Sequence, residues 1–335
     1  MRISVLGCGR IGEMHAKNIA QHDQAHLGFV FDADTKLAET VAAKYNTRAT
    51  ASSEELIESP ETDAILIAAP TFLHVDLIEQ GVAAGKAVLC EKPIDLNLAR
   101  VDACAEKIAG HDTLIQLGFN RRFDPGHRAA RDAVVAGEIG DLHQVIVTSR
   151  DPGLPPEAYL EGSGGMFKDM TIHDFDIARY MLNGDEVATV YAAGSAKVDP
   201  DMMRRVGDID TGMILMTTKA GCQVHINNSR SAAYGYDQRI ELFGSKGMLI
   251  SGNRKEHELT RYSGAATETA APYQNFFIER YQASFHAEIS AFVRAFETNG
   301  APEASFDDGR MALVLAEAAL LSMREGRVVT PQEIK

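Results

Sequence analysis

An aspartate and a histidine four residues apart, Asp169 and His173, are the side chains whose spacing most directly suggests acid–base chemistry. Residues four apart share one face of a helix, so the carboxylate and the imidazole are expected to stack. A carboxylate beside one ring nitrogen fixes the tautomer and leaves the other nitrogen able to accept a proton. Such a pair is more often a structural hydrogen bond or part of a solvated face, so the N-terminal part of the chain has to decide between these interpretations.

A glycine-rich turn near the N-terminus favours the catalytic interpretation. An apolar segment over residues 2–6 predicts a buried strand, and it is followed at once by Gly7, Cys8, Gly9, Arg10, Ile11 and Gly12. The first glycine permits a tight turn, the second lets the backbone approach a pyrophosphate, and the third allows close packing of the helix that follows. The N-terminus of that helix supplies partial positive charge. The turn therefore predicts a dinucleotide site.

The acidic residue at the end of the second predicted strand indicates which dinucleotide binds. Asp32 lies twenty residues beyond Gly12, where a carboxylate accepts hydrogen bonds from the adenosine ribose hydroxyls. The same carboxylate would repel the 2′-phosphate of NADP, although the nearby Lys36 weakens that preference. The sequence predicts NAD as the cofactor.

Two more turns follow predicted strands of the same sheet. One contains Ala69, Pro70 and Thr71, with His74 expected to begin the next helix beside the cofactor; the other is Glu91-Lys92-Pro93. Ligands bind at the carboxyl edge of a parallel sheet, so both turns are expected near the nicotinamide end of the cofactor, with Lys92 projecting over the edge. Taken alone, Lys92 is equally an ordinary surface lysine.

The order of the predicted elements defines two domains. Apolar strands alternate with helices over residues 1–119, which predicts a doubly wound parallel α/β domain. Residues 120–335 contain strand-like segments joined by turns, which predicts an α+β domain with a large open, mostly antiparallel sheet. Its predicted helices cover about 122–136, 168–182, 279–297 and 307–325.

Composition excludes several classes of partner. The chain of 335 residues has 33 basic and 47 acidic side chains and a formal net charge of −14, which argues against nucleic acid and anionic membrane surfaces. Its four cysteines are widely spaced, so neither a disulfide framework nor a zinc site is expected, and a reducing cytoplasm is the expected location. No apolar segment is long enough to span a bilayer, and no targeting signal is expected.

Three motifs, occurring in order, resemble those of the glucose–fructose oxidoreductase/inositol dehydrogenase family. They are the glycine turn, Glu91-Lys92-Pro93, and the segment 164–176 that contains Asp169 and His173. The resemblance extends over the whole chain and is strongest to members that oxidise inositol. It implies NAD-dependent oxidation of myo-inositol at its axial 2-hydroxyl to 2-keto-inositol (scyllo-inosose), in inositol catabolism. It also implies a homo-oligomer, by analogy a homotetramer, built through the open sheet.

The resemblance also implies individual roles. Lys92, Asp169 and His173 are expected to be the catalytic trio, with His173 as the base, Asp169 orienting it and Lys92 binding the reacting oxygen. Further cofactor or substrate contacts are implied for a set in both domains: Asn120, Arg122, Asp151, Thr171, Tyr234 and Tyr236. Ordinary explanations remain open for Arg122 (a solvated helix start), Asp151 (a turn) and the tyrosines (packing).

Three alternatives stay open at this point. In the first alternative, the substrate is another cyclic polyol or an aldose, such as scyllo-inositol or a glucose-type pyranose. Alternatively, the protein is an NAD-binding regulator without turnover, although such a protein would be expected to lose Lys92, His173 or both. A metal site formed by Asp169, His173 and Asp176 is disfavoured because no second histidine lies nearby, so no metal is expected.

Overall fold

The computed structural model, which describes residues 1–334, has six parallel strands in its N-terminal part. They are β1 (Arg2–Leu6), β2 (His26–Phe31), β3 (Arg48–Ala49), β4 (Ala64–Ile67), β5 (Ala87–Cys90) and β6 (Ile115–Leu117), in the order β3-β2-β1-β4-β5-β6. Connecting helices are α1 (Arg10–Ala20), α2 (Thr35–Lys44), α3 (Ser53–Glu58), α4 (His74–Ala83) and α5 (Leu98–Ile108). This confirms the predicted doubly wound parallel sheet. The sequence does not predict β3, because two exposed residues carry no apolar pattern.

Side-chain caps explain where several of these helices begin. The carboxylate of Asp34 accepts hydrogen bonds from the backbone amides of Lys36 and Leu37 at the start of α2. Ser52 caps α3 and Asn97 caps α5 in the same manner. Each cap satisfies amides that have no partner within the helix.

The remaining elements form the α+β part. The helices are α6 (Pro125–Val135), α7 (Glu157–Gly162), α8 (Met166–Asp169), α9 (Ile172–Met181), α10 (Pro200–Val206), α11 (Phe277–Arg280), α12 (Gln282–Thr298) and α13 (Phe306–Glu325). The strands are β7 (Leu142–Arg150), β8 (Val187–Ser195), β9 (Thr211–Thr218), β10 (Gln223–Ser229), β11 (Asp237–Gly244), β12 (Gly247–Ser251), β13 (Thr260–Arg261) and β14 (Thr269–Ala270). Short 3₁₀ turns cover Thr71–Leu73, Asn120–Phe123 and Pro331–Glu333.

The second sheet has the order β12-β11-β7-β10-β9-β8. Only the β7–β10 pair is parallel among its pairings, which confirms the predicted mostly antiparallel sheet. Burial alternates along β9, so Ile214 and Met216 face the interior while Met213 and Leu215 remain exposed. One face of this sheet is therefore covered and the other is open.

The chain folds into two compact units whose boundaries differ from the predicted domain boundary. The first unit contains Met1–Phe123 and Ser284–Leu313, and the second contains Asp124–Ala283 and residues from Val314 onward. The segment 284–313 joins the first unit because α12 buries Ile289, Phe292 and Val293 in the hydrophobic core of the parallel sheet. The order of elements along the sequence does not indicate that α12 packs into the core of the first unit.

The helix predicted to begin at Arg122 begins instead at Pro125. The carboxylate of Asp124 accepts hydrogen bonds from the amides of Gly126 and His127, and proline is favoured at the first helical position. Residues 120–123 form the preceding 3₁₀ turn. No helix between residues 1 and 334 has both the length and the apolar composition to cross a membrane.

The core of the first unit contains a buried carboxyl group. Glu288 on α12 is fully buried, and neither of its side-chain oxygens has a hydrogen-bond partner. Its backbone carbonyl accepts a hydrogen bond from Gln116 of β6 at 3.3 Å. Burial, reinforced by the negative charge of Glu91, raises the pKa of Glu288 well above its usual range. This direction favours the neutral acid in the folded protein.

We expect Glu288→Gln to stabilise the protein above the pKa of an unfolded glutamate, about 4.3. In the wild type, the unfolded chain releases this proton while the folded chain retains it, so stability falls as pH rises towards the raised folded pKa. Glutamine has no proton to retain. The gain should grow by roughly 1.4 kcal/mol for each pH unit above 4.3, up to the folded pKa. Urea unfolding of both proteins at pH 5 and pH 8 measures it.

The exposed Glu39→Gln variant is the matched control, because it removes the same charge from the surface of α2. Parallel stability profiles for wild type and Glu288→Gln between pH 5 and pH 8 would show that Glu288 is ionised in the folded protein.

Candidate active site

The glycine turn has the backbone geometry that the sequence predicts. Gly7 has a φ of +98°, and a Cβ atom there would lie 2.5 Å from the carbonyl oxygen of Ala68. A Cβ on Gly12 would overlap the carbonyl oxygen of Gly7. By contrast, a Cβ on Gly9 would meet no atom within 4 Å. Gly7 and Gly12 are thus required by the turn itself, while Gly9 leaves open the space that an approaching pyrophosphate needs.

Asp32 is fixed next to this turn. One carboxylate oxygen accepts the Cys8 amide at 2.7 Å, and the other accepts the Asp34 amide at 2.9 Å. Two backbone donors therefore hold the carboxylate at the end of β2, beside the first residues of the glycine turn. This is the position from which an acidic residue binds ribose hydroxyls.

Strand register brings the predicted cofactor residues to one edge of the sheet. Leu6 pairs with both Phe31 and Ile67, and Ile67 pairs with Cys90, which in turn pairs with Leu117. The residues that follow these strand ends are therefore neighbours, and they include the predicted set Gly7, Asp32, Ala69, Pro70, Thr71, Glu91, Lys92 and Asn120. Arg10 and Ile11 begin α1 directly after the glycine turn.

His74 connects two of these turns. Its Nδ1 lies 2.7 Å from the carbonyl oxygen of Pro93, and its Nε2 lies 2.8 Å from that of Ala69. Burial lowers the pKa of His74, although both carbonyl groups oppose that change. His74 begins α4 as predicted. It is buried, so it connects the turns that contain Ala69 and Pro93 from the interior of the unit.

Lys92 lies between two residues that are held in place. The preceding Glu91 places Oε1 2.7 Å from Nε2 of His15, which is buried on α1. The following peptide bond, Lys92–Pro93, is cis. Helix α1, which starts at the glycine turn, is thereby attached to the turn that carries Lys92.

Arg122 occupies the interior of the first unit. Its guanidinium contacts the carboxylate of Asp308 at 3.0 and 3.1 Å and donates to the Glu303 carbonyl at 2.6 Å. The side chain is buried. The predicted alternative of a solvated helix start does not describe this residue, because it lies in the 3₁₀ turn before α6 and is ion-paired.

In the second unit, Asp169 and His173 lie on two consecutive helical segments. The single helix predicted over 168–182 is wrong: α8 ends at Asp169, and α9 begins at Ile172. The hydrogen-bond pattern changes between them, since the Met170 and Thr171 amides both donate to the Met166 carbonyl. Met170 and Thr171 nevertheless keep right-handed helical dihedrals. Asp169 and His173 thus remain about one helical turn apart on one face.

Both oxygens of Asp169 are engaged by donors from distant parts of the second unit. The Tyr159 hydroxyl donates to Oδ1 at 2.8 Å, and the Arg230 guanidinium donates to Oδ2 at 3.0 Å. Tyr159 is 53% exposed as a whole residue, but local desolvation of its hydroxyl and the adjacent charge of Asp169 raise the pKa of that hydroxyl, which keeps it a donor. Sequence reasoning misses both partners, because a tyrosine on a short helix and an arginine after a strand carry no motif.

The residues around His173 are deeply buried. Thr171 donates from its hydroxyl to Asn228 at 2.7 Å, and Asn228 donates in turn to the carboxylate of Asp174 at 2.8 Å. Asp176 is buried on α9. No group of three or more His, Cys, Asp or Glu side chains in the described part of the chain is arranged to hold a metal ion.

The tyrosine segment is divided between surface and interior. Tyr234 is half exposed, accepts a hydrogen bond from Arg150 at 2.6 Å and donates to Asp237 at 2.7 Å. Burial and the Asp237 carboxylate raise the pKa of its hydroxyl. Tyr236 is buried against the ring of Tyr281. Asp151, at the end of β7, is partly exposed, and its amide donates to the Ser229 carbonyl.

Two protein-family models match the chain. The model described as an oxidoreductase family with an NAD-binding Rossmann fold matches residues 1–119. The model of the GFO/IDH/MocA C-terminal domain matches residues 127–250. Together they cover well over half of the 335 residues.

Individual proteins match over their full length. A myo-inositol 2-dehydrogenase of Thermotoga maritima is 42% identical, with 100% of this chain and 99% of that protein covered. The crystal structure of a myo-inositol dehydrogenase from Corynebacterium glutamicum superposes with a TM-score of 0.95 at 42% identity, covering 98% of each chain. A scyllo-inositol dehydrogenase from Lactobacillus casei, solved with bound NAD(H) and scyllo-inositol, gives a TM-score of 0.91 at 29% identity, covering 99% of this chain and 99% of that one.

Proposed function

The chain belongs to the GFO/IDH/MocA family of NAD-binding oxidoreductases, and from this membership we propose that it oxidises the axial 2-hydroxyl of myo-inositol to the ketone. The observation that carries the proposal is the fixed Asp169 carboxylate one helical turn from His173, in a chain that matches a myo-inositol 2-dehydrogenase along its whole length. This pair has the residue types that alcohol oxidation requires.

Oxidation of a secondary alcohol removes a proton from oxygen and a hydride from carbon. We assign the proton to His173, whose imidazole accepts it while Asp169 holds the ring orientation and stabilises the imidazolium. Lys92 donates a hydrogen bond to the reacting oxygen and favours its partly negative form. NAD, when bound at the glycine turn and Asp32, supplies the hydride acceptor.

We assign substrate contacts from the exposure of the predicted substrate-binding side chains. Asp151 and Tyr234 are partly exposed, which supports direct contact with ring hydroxyls. Thr171, Tyr236 and, in the first unit, Arg122 are buried, so we propose that they act by holding the backbone of residues that touch the substrate. Asn120, at the cofactor edge, is proposed to contact the cofactor.

Turnover with a panel of polyols is the direct test. We expect NAD reduction with myo-inositol, and we expect His173→Ala and Lys92→Ala to lower kcat by about 10²–10⁴-fold, because each loses a group that acts on the reacting hydroxyl. NAD affinity, measured by protein fluorescence, should change little. His257→Ala, in an exposed loop, is the matched control and should retain full activity.

The panel also separates the alternatives. Faster turnover with scyllo-inositol or an aldose would reassign the substrate, and the similarity to a scyllo-inositol dehydrogenase makes scyllo-inositol the first competitor to include. NAD binding without turnover on any polyol would indicate a regulator. Near-normal rates in both active-site variants would contradict the roles of Lys92 and His173.

We further propose a homotetramer that uses the open face of the second sheet. Exposed apolar side chains lie along this face on four of its six strands: Tyr191, Met213, Leu215, Phe243, Met248 and Ile250. Strand pairing places Tyr191 directly beside Leu215, and Phe243 beside Met248. Apolar surface of this extent favours burial against another copy of the chain.

Met213→Glu should weaken that assembly, because it places a charge in the proposed interface, and light scattering after gel filtration measures the mass. Val135→Glu is the matched control, since Val135 and Met213 are both 56% exposed but Val135 lies on α6. A monomeric wild type, or equal masses for wild type and Met213→Glu, would contradict the proposed interface.

A cytoplasmic location is also proposed. All four cysteines are free, buried thiols, which is the state that a reducing compartment maintains.

A further inference from the structure

We propose that Arg230 and Tyr159 are positioning residues for the Asp169–His173 pair, and that the charge of Arg230 keeps His173 neutral and able to accept a proton. This inference rests on the proposed function, in which Asp169 orients His173 as the base. It concerns two residues that lie outside the motifs of the sequence.

The contacts fix the orientation of the carboxylate. Tyr159 comes from α7 and Arg230 follows β10, and each donates to a different oxygen of Asp169. A half turn of the carboxylate only exchanges two equivalent oxygens, so the two donors fix the plane of the carboxylate. The charge-assisted bond from Arg230 is the stronger of the two.

Burial makes the charge of Arg230 effective. Its side chain is 1% exposed, whereas the side chains of its partners Asp169 and Asp208 are each 12% exposed. The guanidinium lies 3.0 Å from Asp169 and 3.6 Å from Asp208. Charges removed from water interact over longer distances than surface charges, so we expect this cation to act on the imidazole of His173, which lies four residues beyond its partner Asp169.

Asp208 connects Arg230 to the beginning of α8. Its Oδ1 accepts the Met166 amide at 3.0 Å, at the N-terminus of that helix. Gly165 has a φ of +83°, a conformation that disfavours a side chain, and a Cβ there would also make a tight contact of 3.0 Å with Asp208. Arg230 thus contacts the carboxylates at both ends of α8, and Asp169 is the last residue of this helix.

The charges around the pair determine the sign of the effect. They lie on α7, α8 and α9 and in the segments that follow β7, α10 and β10. The groups are Tyr159, Asp151, Asp208 and Arg230, with Lys168 (paired with Glu317), Asp174 and Asp176 on the same helical segments. Arg230 is the buried cation among them. Without it, the surrounding carboxylates would favour the imidazolium, which cannot accept a proton.

Direct titration of His173 tests the inference without any substrate. The chain has 11 histidines, so histidine labelled with ¹³C at Cε1 gives few signals, and the signal lost in His173→Gln identifies His173. Arg230→Gln should raise the pKa of His173 by about half a unit or more. Arg230→Lys, which keeps the charge, should leave it within about 0.2 units of the wild type.

Asp208→Asn should shift the pKa of His173 in the direction opposite to Arg230→Gln. Asparagine keeps an acceptor for the Met166 amide but removes a negative charge, so the pKa of His173 should fall. Altered packing alone would not give opposite shifts for the two substitutions. If Arg230→Gln fails to fold, the Asp208→Asn and Arg230→Lys titrations still decide. Shifts in the same direction for Arg230→Gln and Asp208→Asn, equal shifts for the two Arg230 variants, or no shift in any of them would overturn the electrostatic role.

Tyr159→Phe tests positioning separately from charge. It removes one donor to Asp169 and leaves every charge in place, so we expect kcat to fall by about 3–30-fold with KM nearly unchanged. Unchanged kcat would overturn the positioning role of Tyr159. Absence of turnover in the wild type would refute the proposed function, while the His173 titration would still decide the role of Arg230.

Discussion

The buried ion pair between Arg230 and Asp169 is the interaction on which the second unit's site depends. An arginine that is 1% exposed requires carboxylate partners, because desolvation otherwise makes the charge too costly to retain. Losing one partner of such a pair typically costs about 3–5 kcal/mol. The pair therefore holds the Asp169 carboxylate at the last residue of α8. We propose that this arrangement keeps His173, four residues later, neutral.

The predicted cofactor site in the first unit depends on backbone geometry instead. Gly7 is required by its close contact with the backbone of Ala68 and Gly12 by its close contact with the backbone of Gly7, whereas Gly9 faces open space. Strand register then places Asp32 and the turn of Lys92 at the same sheet edge. Because these constraints act on neighbouring residues or on apolar strands, they produce local patterns in the sequence. This explains why the parallel sheet, the glycine turn and Asp32 could be predicted.

Interactions between residues distant in sequence produce no such local pattern. The partners of Asp169 come from positions 159 and 230, and nothing in either local pattern distinguishes them from ordinary surface residues. The order of elements along the chain assigns α12 to the second domain, although Phe292 and Val293 belong to the core of the first unit. The break between α8 and α9 likewise depends on tertiary interactions, since Thr171 donates to Asn228 on β10. Periodicity predicts one continuous helix that carries Asp169 and His173, whereas the structure has two consecutive segments.

The central proposal is that His173, Asp169 and Lys92 act together on one carbinol of a cyclic polyol whose hydride passes to the nicotinamide. The most direct measurement uses myo-inositol carrying deuterium at carbon 2, with mass spectrometry of the cofactor after reaction. The account predicts reduced cofactor that is one mass unit heavier, together with the 2-ketone. Reduced cofactor without deuterium, or no reduction by the wild-type protein, would contradict it.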